Sequence, residues 1–323
     1  MFRTGLSFDM QTPDFGAPRS EIYSAAFEMI EYADANGIDQ ILFAEHHRSV
    51  DGYVPVPALL AAAAAARTRR IALMLGAIVL PLHDPVEVAE MIAVNDLISG
   101  GRLHVVLAAG YVEAEFKAFR KSIHDRARLM DEGLEIITRA LAGERFQDGD
   151  REVFVRPLPL NRPPNLYVGG GVEASARRAA KFGLGFWTMK SDVIAVYESE
   201  CRKLGRAPGP VIRTPVGIHV AEDPEAAWQR IGPHVLHYVR AYAAMSSDPS
   251  VSSSPMHGLN SLDAVRASGI MTVVTPDQCV ELAQRESVTL VPLIGGLSPK
   301  IGWESLELFT AKALPRIKAA NGA

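Results

Sequence analysis

Ile41-Leu42-Phe43-Ala44-Glu45-His46-His47 decides the fold. An apolar run stops abruptly at a carboxylate and two imidazoles. Apolar runs bounded this way read as strands buried on both faces. Titratable residues at the exit of such a strand lie where parallel α/β folds place their chemistry. Two histidines there imply proton handling, a metal, or an oriented ligand.

Strand and helix signals alternate outward from this stretch in both directions. Thr4–Phe8 reads as a strand, and Ser20 caps a helix that runs to Asn36 and stops at Gly37. Gln40–Ala44, Arg70–Leu80 and Leu103–Ala108 read as the next strands. An alanine-rich helix over Pro57–Thr68 and a second helix begun by Asp84 or Pro85 and closed at Ser99-Gly100-Gly101 lie between them. A long helix follows over Ile123–Leu141. Phe146-Gln147-Asp148-Gly149 and Glu152–Val155 then break the rhythm as a small hairpin. The alternation resumes with strands at Asn165–Val168, Leu184–Met189, Val211–Val220 and Thr289–Ile294. Residues 246–270, rich in Ser, Pro, Gly and Asn, read as a mobile loop or lid. Eight strands alternating with helices predict an α/β protein: a single (β/α)8 TIM barrel domain over residues 1–323, with a hairpin insertion and a late mobile loop.

Composition narrows the function classes. The 323 residues are 48% hydrophobic and 22% charged, with a net charge of −4. No long basic run occurs, which argues against nucleic acid as a partner. Cys201 and Cys279 show no metal or redox spacing, and no signal-peptide pattern opens the chain, so a reducing, cytoplasmic setting is expected. The apolar stretch Val54–Ala66 is too short and alanine-rich for a membrane span.

A set of short motifs runs nearly the whole length. It comprises Ala44-Glu45-His46-His47, Thr68-Arg69-Arg70-Ile71, Gly76-Ala77-Ile78-Val79-Leu80-Pro81 and His83-Asp84-Pro85 with Ala89-Glu90. Asp96-Leu97-Ile98-Ser99-Gly100-Gly101-Arg102, Gly110-Tyr111 with Glu115-Phe116, and the tail Glu304-Ser305-Leu306-Glu307-Leu308-Phe309 complete it. In this order and spacing the chain resembles the bacterial luciferase-like flavin monooxygenase superfamily. The resemblance implies a (β/α)8 barrel that binds FMN, or its 5-deazaflavin relative, at the C-terminal ends of the strands. It makes His46 the catalytic residue, beside the flavin, where a neutral imidazole accepts or returns a proton. The bland alternative is a satisfied strand-end histidine. His47 reads as a backbone anchor, and Glu45 as the partner of a cation. Glu-x-x-His and His-x-His spacings are absent, so no metal is expected.

The same resemblance implies a non-proline cis peptide at Gly76-Ala77 beneath the flavin ring; a strand bulge is the plain alternative. Gly169-Gly170-Gly171 precedes a helix containing Ser175, Arg177 and Arg178. Free N–H groups at a helix start form an anion site, glycines let a phosphate come close, and the Ser175 hydroxyl adds a donor. In luciferase relatives the loop matching Gly171, Val172 and Ser175 holds the FMN phosphate. A tight turn before a solvated basic helix face is the competing reading. Ala109 departs from the family pattern, because luciferase has a phosphate-contacting arginine there; Arg177 or Arg178 substitutes, or the flavin is a loosely held, shuttled substrate, or the coenzyme is a deazaflavin. The small residues Ala108 and Ala109, next to Gly110, admit either ring. Met189, with Trp187 and Thr188, walls the pocket, as does Met10, although core packing explains both methionines equally well. His234 and His237 read as surface or interface residues, and His83 and His104 as structural.

The function these readings predict is a flavin-dependent monooxygenase using reduced FMN and oxygen on a small organic substrate. A flavin reductase would supply the reduced flavin. Related proteins dimerise through the region of Leu59–Ala66 and Val86–Ile98, so a homodimer is expected. The alternatives are a deazaflavin-dependent hydride-transfer reductase or dehydrogenase, a non-catalytic flavin-binding protein, and a barrel metal hydrolase. The last is disfavoured because Phe8-Asp9-Met10 stands where its histidine pair would be.

Overall fold

The computed structural model describes residues 3–214, 216–245 and 256–320. In chain order the strands are β1 (Thr4–Phe8), β2 (Gln40–Phe43), β3 (Ala72–Val79), β4 (Leu103–Ala108), β5 (Phe146–Asp148) and β6 (Arg151–Val153). They continue with β7 (Asn165–Gly169), β8 (Gly185–Thr188), β9 (Val211–Arg213), β10 (Val216–Val220), β11 (Met271–Val274) and β12 (Val288–Leu290). The chain divides into two compact units, Met1–Pro55 with Pro215–Ala323, and Val56–Thr214.

In the first unit the strand order is β11-β10-β12-β1-β2, and every pairing is parallel. Gly5 on β1 lies opposite Gln40 on one side and Thr289 on the other. A Cβ at Gly5 would stand 3.0 Å from both side chains, so only glycine leaves room for that layer. The long helix Pro224–Met245 packs by its apolar stripe, Trp228, Ile231, Val235 and Val239, against Met271 and Val273 of β11 and against Val265. Burying side chains of this size contributes about 1.5–3 kcal/mol each.

In the second unit the order is β3-β4-β7-β8-β9, again all parallel. Its helices follow their sequence signals closely. Asp84 caps the helix Pro85–Ser99 by accepting from the Val86 N–H at 2.8 Å, and Gly100 ends it with φ +66°. Two of the family-like motifs prove to be a structural staple. The Arg102 guanidinium donates to the carbonyls of Ser99, Ile71, Ala65 and Thr68 and to the Thr68 hydroxyl. One planar fork thus satisfies the orphan carbonyls at two helix ends. The hairpin is present as antiparallel β5–β6.

Four local expectations need correction. Ten strands form parallel ladders among the described residues, where eight were expected. The stretch Val211–Val220 is two strands, β9 pairing with β8, and β10 pairing with β11 and β12. β11 was missed because four residues inside a polar surround carry too little period to register. The first helix starts at Arg19 with Pro18 at its N-cap, so Ser20 lies inside the first turn and caps nothing. Of the expected late mobile loop, 246–255 lie outside the described residues. From 256 onward the chain makes a turn and then the helix Leu262–Ser268, capped by Ser261 and anchored by fully buried Val265. No described helix is long and apolar enough to cross a membrane.

Candidate functional site

His46 stands three residues past the end of β2 and is 6% exposed. Its backbone is fixed by an N–H bond to the Val54 carbonyl at 2.9 Å. Its Nε2 lies 3.2 Å from the Tyr242 hydroxyl, which lies 2.9 Å from the Tyr53 hydroxyl. The His46 ring meets Tyr53 edge-on at 4.8 Å and Tyr242 at 5.0 Å. Tyr238 packs on Tyr242 at 5.0 Å. Burial pushes the Tyr53 and Tyr242 phenols well above their ordinary range, so both keep their protons. His47 turns away to the Glu45 carboxylate, Nε2 to Oε1 2.6 Å. The Glu45 carboxylate, expected to meet a cation, thus has the His47 imidazole as a partner.

Beside this cluster lies a buried carboxyl pair. Asp9, one residue past β1, accepts from the Gln11 N–H at 2.8 Å and the Gly295 N–H at 3.0 Å. Desolvation nevertheless raises its pKa to about 7, with the nearby Asp51 charge adding to the effect. Asp51 accepts from Gln11 Nε2 at 2.7 Å and meets His237 Nε2 at 2.6 Å. His234 bonds the Gly295 carbonyl through Nδ1 at 2.9 Å. His234 and His237 are therefore tied into this network, not free on a surface. The helix that carries them packs against β11 and, five residues beyond His237, delivers Tyr242 to His46, with Tyr238 packed on the Tyr242 ring.

Sequence reasoning missed Asp9, Asp51, Tyr53 and Tyr242. One signal was available: Asp9 follows an apolar strand just as Glu45 does. Met10, also expected to wall the site, is 1% exposed with φ +60°, which fits the core alternative.

In the second unit the expected cofactor residues lie inside β3 and just past the C-terminal ends of β4, β7 and β8. The Gly76-Ala77 peptide is cis, and the β3–β4 register slips at that point, so Ala77 has no partner on β4. Gly110, past β4, has φ +75°, and a Cβ there would lie 2.6 Å from Val79 Cγ1 and 3.0 Å from Phe116. Neighbouring Ala109 is half-buried. Gly170, past β7, has φ +154°, and a Cβ would lie 2.7 Å from the Ser175 side chain. Gly171 and Val172 lead into the helix Glu173–Phe182, which no side chain caps. Met189 follows β8 and is 54% exposed; Trp187 and Thr188 precede it.

Two features of the expected phosphate cradle have partners within the chain. Arg177 pairs with Glu173 at 2.7 Å in an exposed i,i+4 ion pair, and Arg178 pairs with Asp131 at 2.6 Å. The Ser175 hydroxyl donates to the Val172 carbonyl at 2.6 Å, so it supports the turn and its proton is already used. What remains for an anion is the uncapped backbone of the helix start. His104 is structural as expected: it stacks on Tyr167, bonds its hydroxyl at 3.1 Å, and burial lowers its pKa to about 4.

Residues 7–286 match the luciferase-like monooxygenase family. Limonene 1,2-monooxygenase of Rhodococcus erythropolis is 26% identical over 275 residues, 80% of this chain and 70% of the relative. The monooxygenase RslO1 from Streptomyces bottropensis superposes with a TM-score of 0.77 at 24% identity, covering 97% of this chain and 99% of that one. The oxygenating constituent of 3,6-diketocamphane monooxygenase from Pseudomonas putida, solved with FMN, gives a TM-score of 0.70 at 20% identity and covers 98% of each chain. An F420-dependent secondary alcohol dehydrogenase gives 0.70 at 15% identity, covering 98% of this chain and 99% of that one. The structural likenesses show the fold alone, the α/β barrel class read from the sequence. On the extent of the family match, the chain belongs to the luciferase-like monooxygenases, a family of flavin-dependent enzymes.

Proposed function

We propose that this protein is the oxygenating component of a two-component system, using reduced FMN and oxygen on a small organic substrate. The observation that carries the reading is a buried histidine at a strand exit, hydrogen-bonded within a ring of tyrosines, in a chain of this family. Small residues suit a flat ring: Gly76 and Ala77 inside β3 and Ala109 and Gly110 just past β4 put little bulk there, and Met189 offers an apolar wall. Gly171, Val172 and the first residues of the following helix would hold the phosphate through backbone N–H groups, while Gly170 and Ser175 shape the turn, their own N–H groups bonding the Trp187 and Val172 carbonyls. With both arginines of that helix paired to carboxylates, the flavin is held loosely and shuttled from a reductase. When bound, reduced FMN supplies the electrons that activate oxygen.

The chain's own contribution is acid–base and exclusion of water. His46 takes and returns a proton at the reacting centre, and the apolar rings around it keep solvent from competing. A reducing, cytoplasmic setting suits Cys201 and Cys279, both buried and unbonded. The exposed apolar side chains Leu59, Val94, Leu97 and Ile98 on the helices Pro57–Arg67 and Pro85–Ser99 would be covered by a second copy of the chain.

Titration with FMN and with a deazaflavin coenzyme, each oxidised and reduced, tests the reading when absorbance and oxygen uptake are followed together. Preferential binding of reduced FMN with oxygen consumption is expected. Deazaflavin binding and hydride transfer without oxygen uptake would replace it with the reductase reading, which the likeness to the F420-dependent dehydrogenase favours. Flavin bound with neither oxygen uptake nor hydride transfer would indicate a binding protein.

A further inference from the structure

We propose that Tyr242 is a positioning residue for His46, a hub whose hydroxyl turns to suit either protonation state of Nε2. The idea rests on the proton-handling role given to His46 above. A phenol has one proton to give and two lone pairs to accept with. Tyr242 Oη faces His46 Nε2 at 3.2 Å and Tyr53 Oη at 2.9 Å, and Tyr238 is packed on the same ring. When Nε2 is bare, Tyr242 donates to it and accepts from Tyr53. When Nε2 carries a proton, Tyr242 accepts from it and donates to a neighbouring phenol. Rotation about one C–O bond switches between the two arrangements, and no heavy atom has to move.

Burial makes this useful. A buried imidazole that gains a proton without a partner loses solvation that water would have given. Tyr242 supplies that solvation in both states. The phenols themselves do not ionise, because desolvation holds Tyr53 and Tyr242 well above their ordinary range. Among the described residues, the groups facing the hub are His46, Tyr53 and Tyr238, with Asp9 near enough to act on both Tyr53 and Tyr242 electrostatically. All of these lie in one compact unit, and Tyr242 reaches His46 across 196 residues of sequence. The edge-on ring contacts at 4.8 and 5.0 Å hold the imidazole plane, so the hydroxyl and the ring have separable jobs.

The experiment compares wild type with Tyr242→Phe and Tyr53→Phe. Imidazole nitrogen resonances are recorded across pH on protein without substrate, His46 being assigned by its loss in His46→Gln. Tyr242→Phe keeps the ring and removes the hub, so the His46 Nε2 resonance should move toward that of a nitrogen without a hydrogen bond. Turnover with reduced FMN and oxygen should fall about tenfold, the size of one hydrogen bond to a group that charges during reaction, with KM little changed and the pH profile displaced. Tyr53→Phe should act in the same direction and more weakly. An unchanged His46 resonance in either variant, or a KM effect with an unmoved pH profile, overturns the proposal. A displaced resonance in a protein that consumes no oxygen would support the hub and overturn the monooxygenase reading instead.

Discussion

The two units divide the chemistry unevenly. The first holds the titratable groups: His46 with its tyrosines, and the Asp9, Asp51 and His237 network at the exits of β1 and β2. The second holds small residues: Gly76 and Ala77 inside β3, and Ala109, Gly110, Gly170 and Gly171 just past β4 and β7. Arg177 and Arg178, on the helix after β7, pair with Glu173 and Asp131. On the function proposed above, the first half moves protons and the second lets a flat ring and a phosphate approach backbone. Mutations in the two halves should therefore fail in different ways.

The largest effect should separate turnover from binding. His46→Ala is expected to lower oxygen-dependent turnover by roughly 10²–10⁴-fold, the usual worth of a general acid–base group. Flavin affinity, measured by fluorescence titration, should be unchanged. A parallel loss of affinity would break the division.

Asp9 gives the next effect. Its folded pKa is about 7 against an ordinary 3.8. Below pH 4 the carboxyl is protonated folded or unfolded, and it costs nothing. Between pH 4 and 7 the unfolded chain releases the proton and the native state keeps it, so stability falls as pH rises through this window. The full penalty above pH 7 is on the order of 4 kcal/mol. His104 and His219, both lowered by burial to about 4, act in the opposite sense, adding stability as pH rises from 4 to 6.5. Asp9→Asn should remove only the falling component, read as the difference in pH slope of denaturant midpoints between variant and wild type. Identical slopes would show that Asp9 is ionised in the folded protein.

The cradle should respond to volume. Gly110→Ala places a Cβ 2.6 Å from Val79 Cγ1 at φ +75°, and should cost about 1–3 kcal/mol of stability together with flavin affinity. Gly52→Ala, at φ +80° with nothing within 4 Å, isolates the backbone cost and should leave flavin affinity alone. The smallest effect is at the surface. Leu97→Lys should shift sedimentation toward monomer with little change in monomer stability; an unshifted profile would remove the second copy from that face.

Much of the scaffold was legible because its causes are local. Asp84 before Pro85, Gly37 and Gly100 after their helices, and the apolar runs of β1 to β4 each satisfy backbone or bury side chains within a few residues of themselves. The cis peptide at Gly76-Ala77 was expected from the family resemblance alone. The misses have one physical source. Arg177 and Arg178 look available until Glu173 and Asp131 are found at 2.7 and 2.6 Å. His237 looks exposed until its helix is seen to run past Asp51.

The alternation of strands and helices, and the glycines just past the strand ends, were thus determined in the sequence, because each follows from periodicity or from a residue's own backbone limits. Only the tertiary structure decided which groups surround His46, why Asp9 holds its proton to near neutrality, and which carboxylates the arginines meet. Those depend on desolvation and on partners distant in sequence, and neither is written in the residue type.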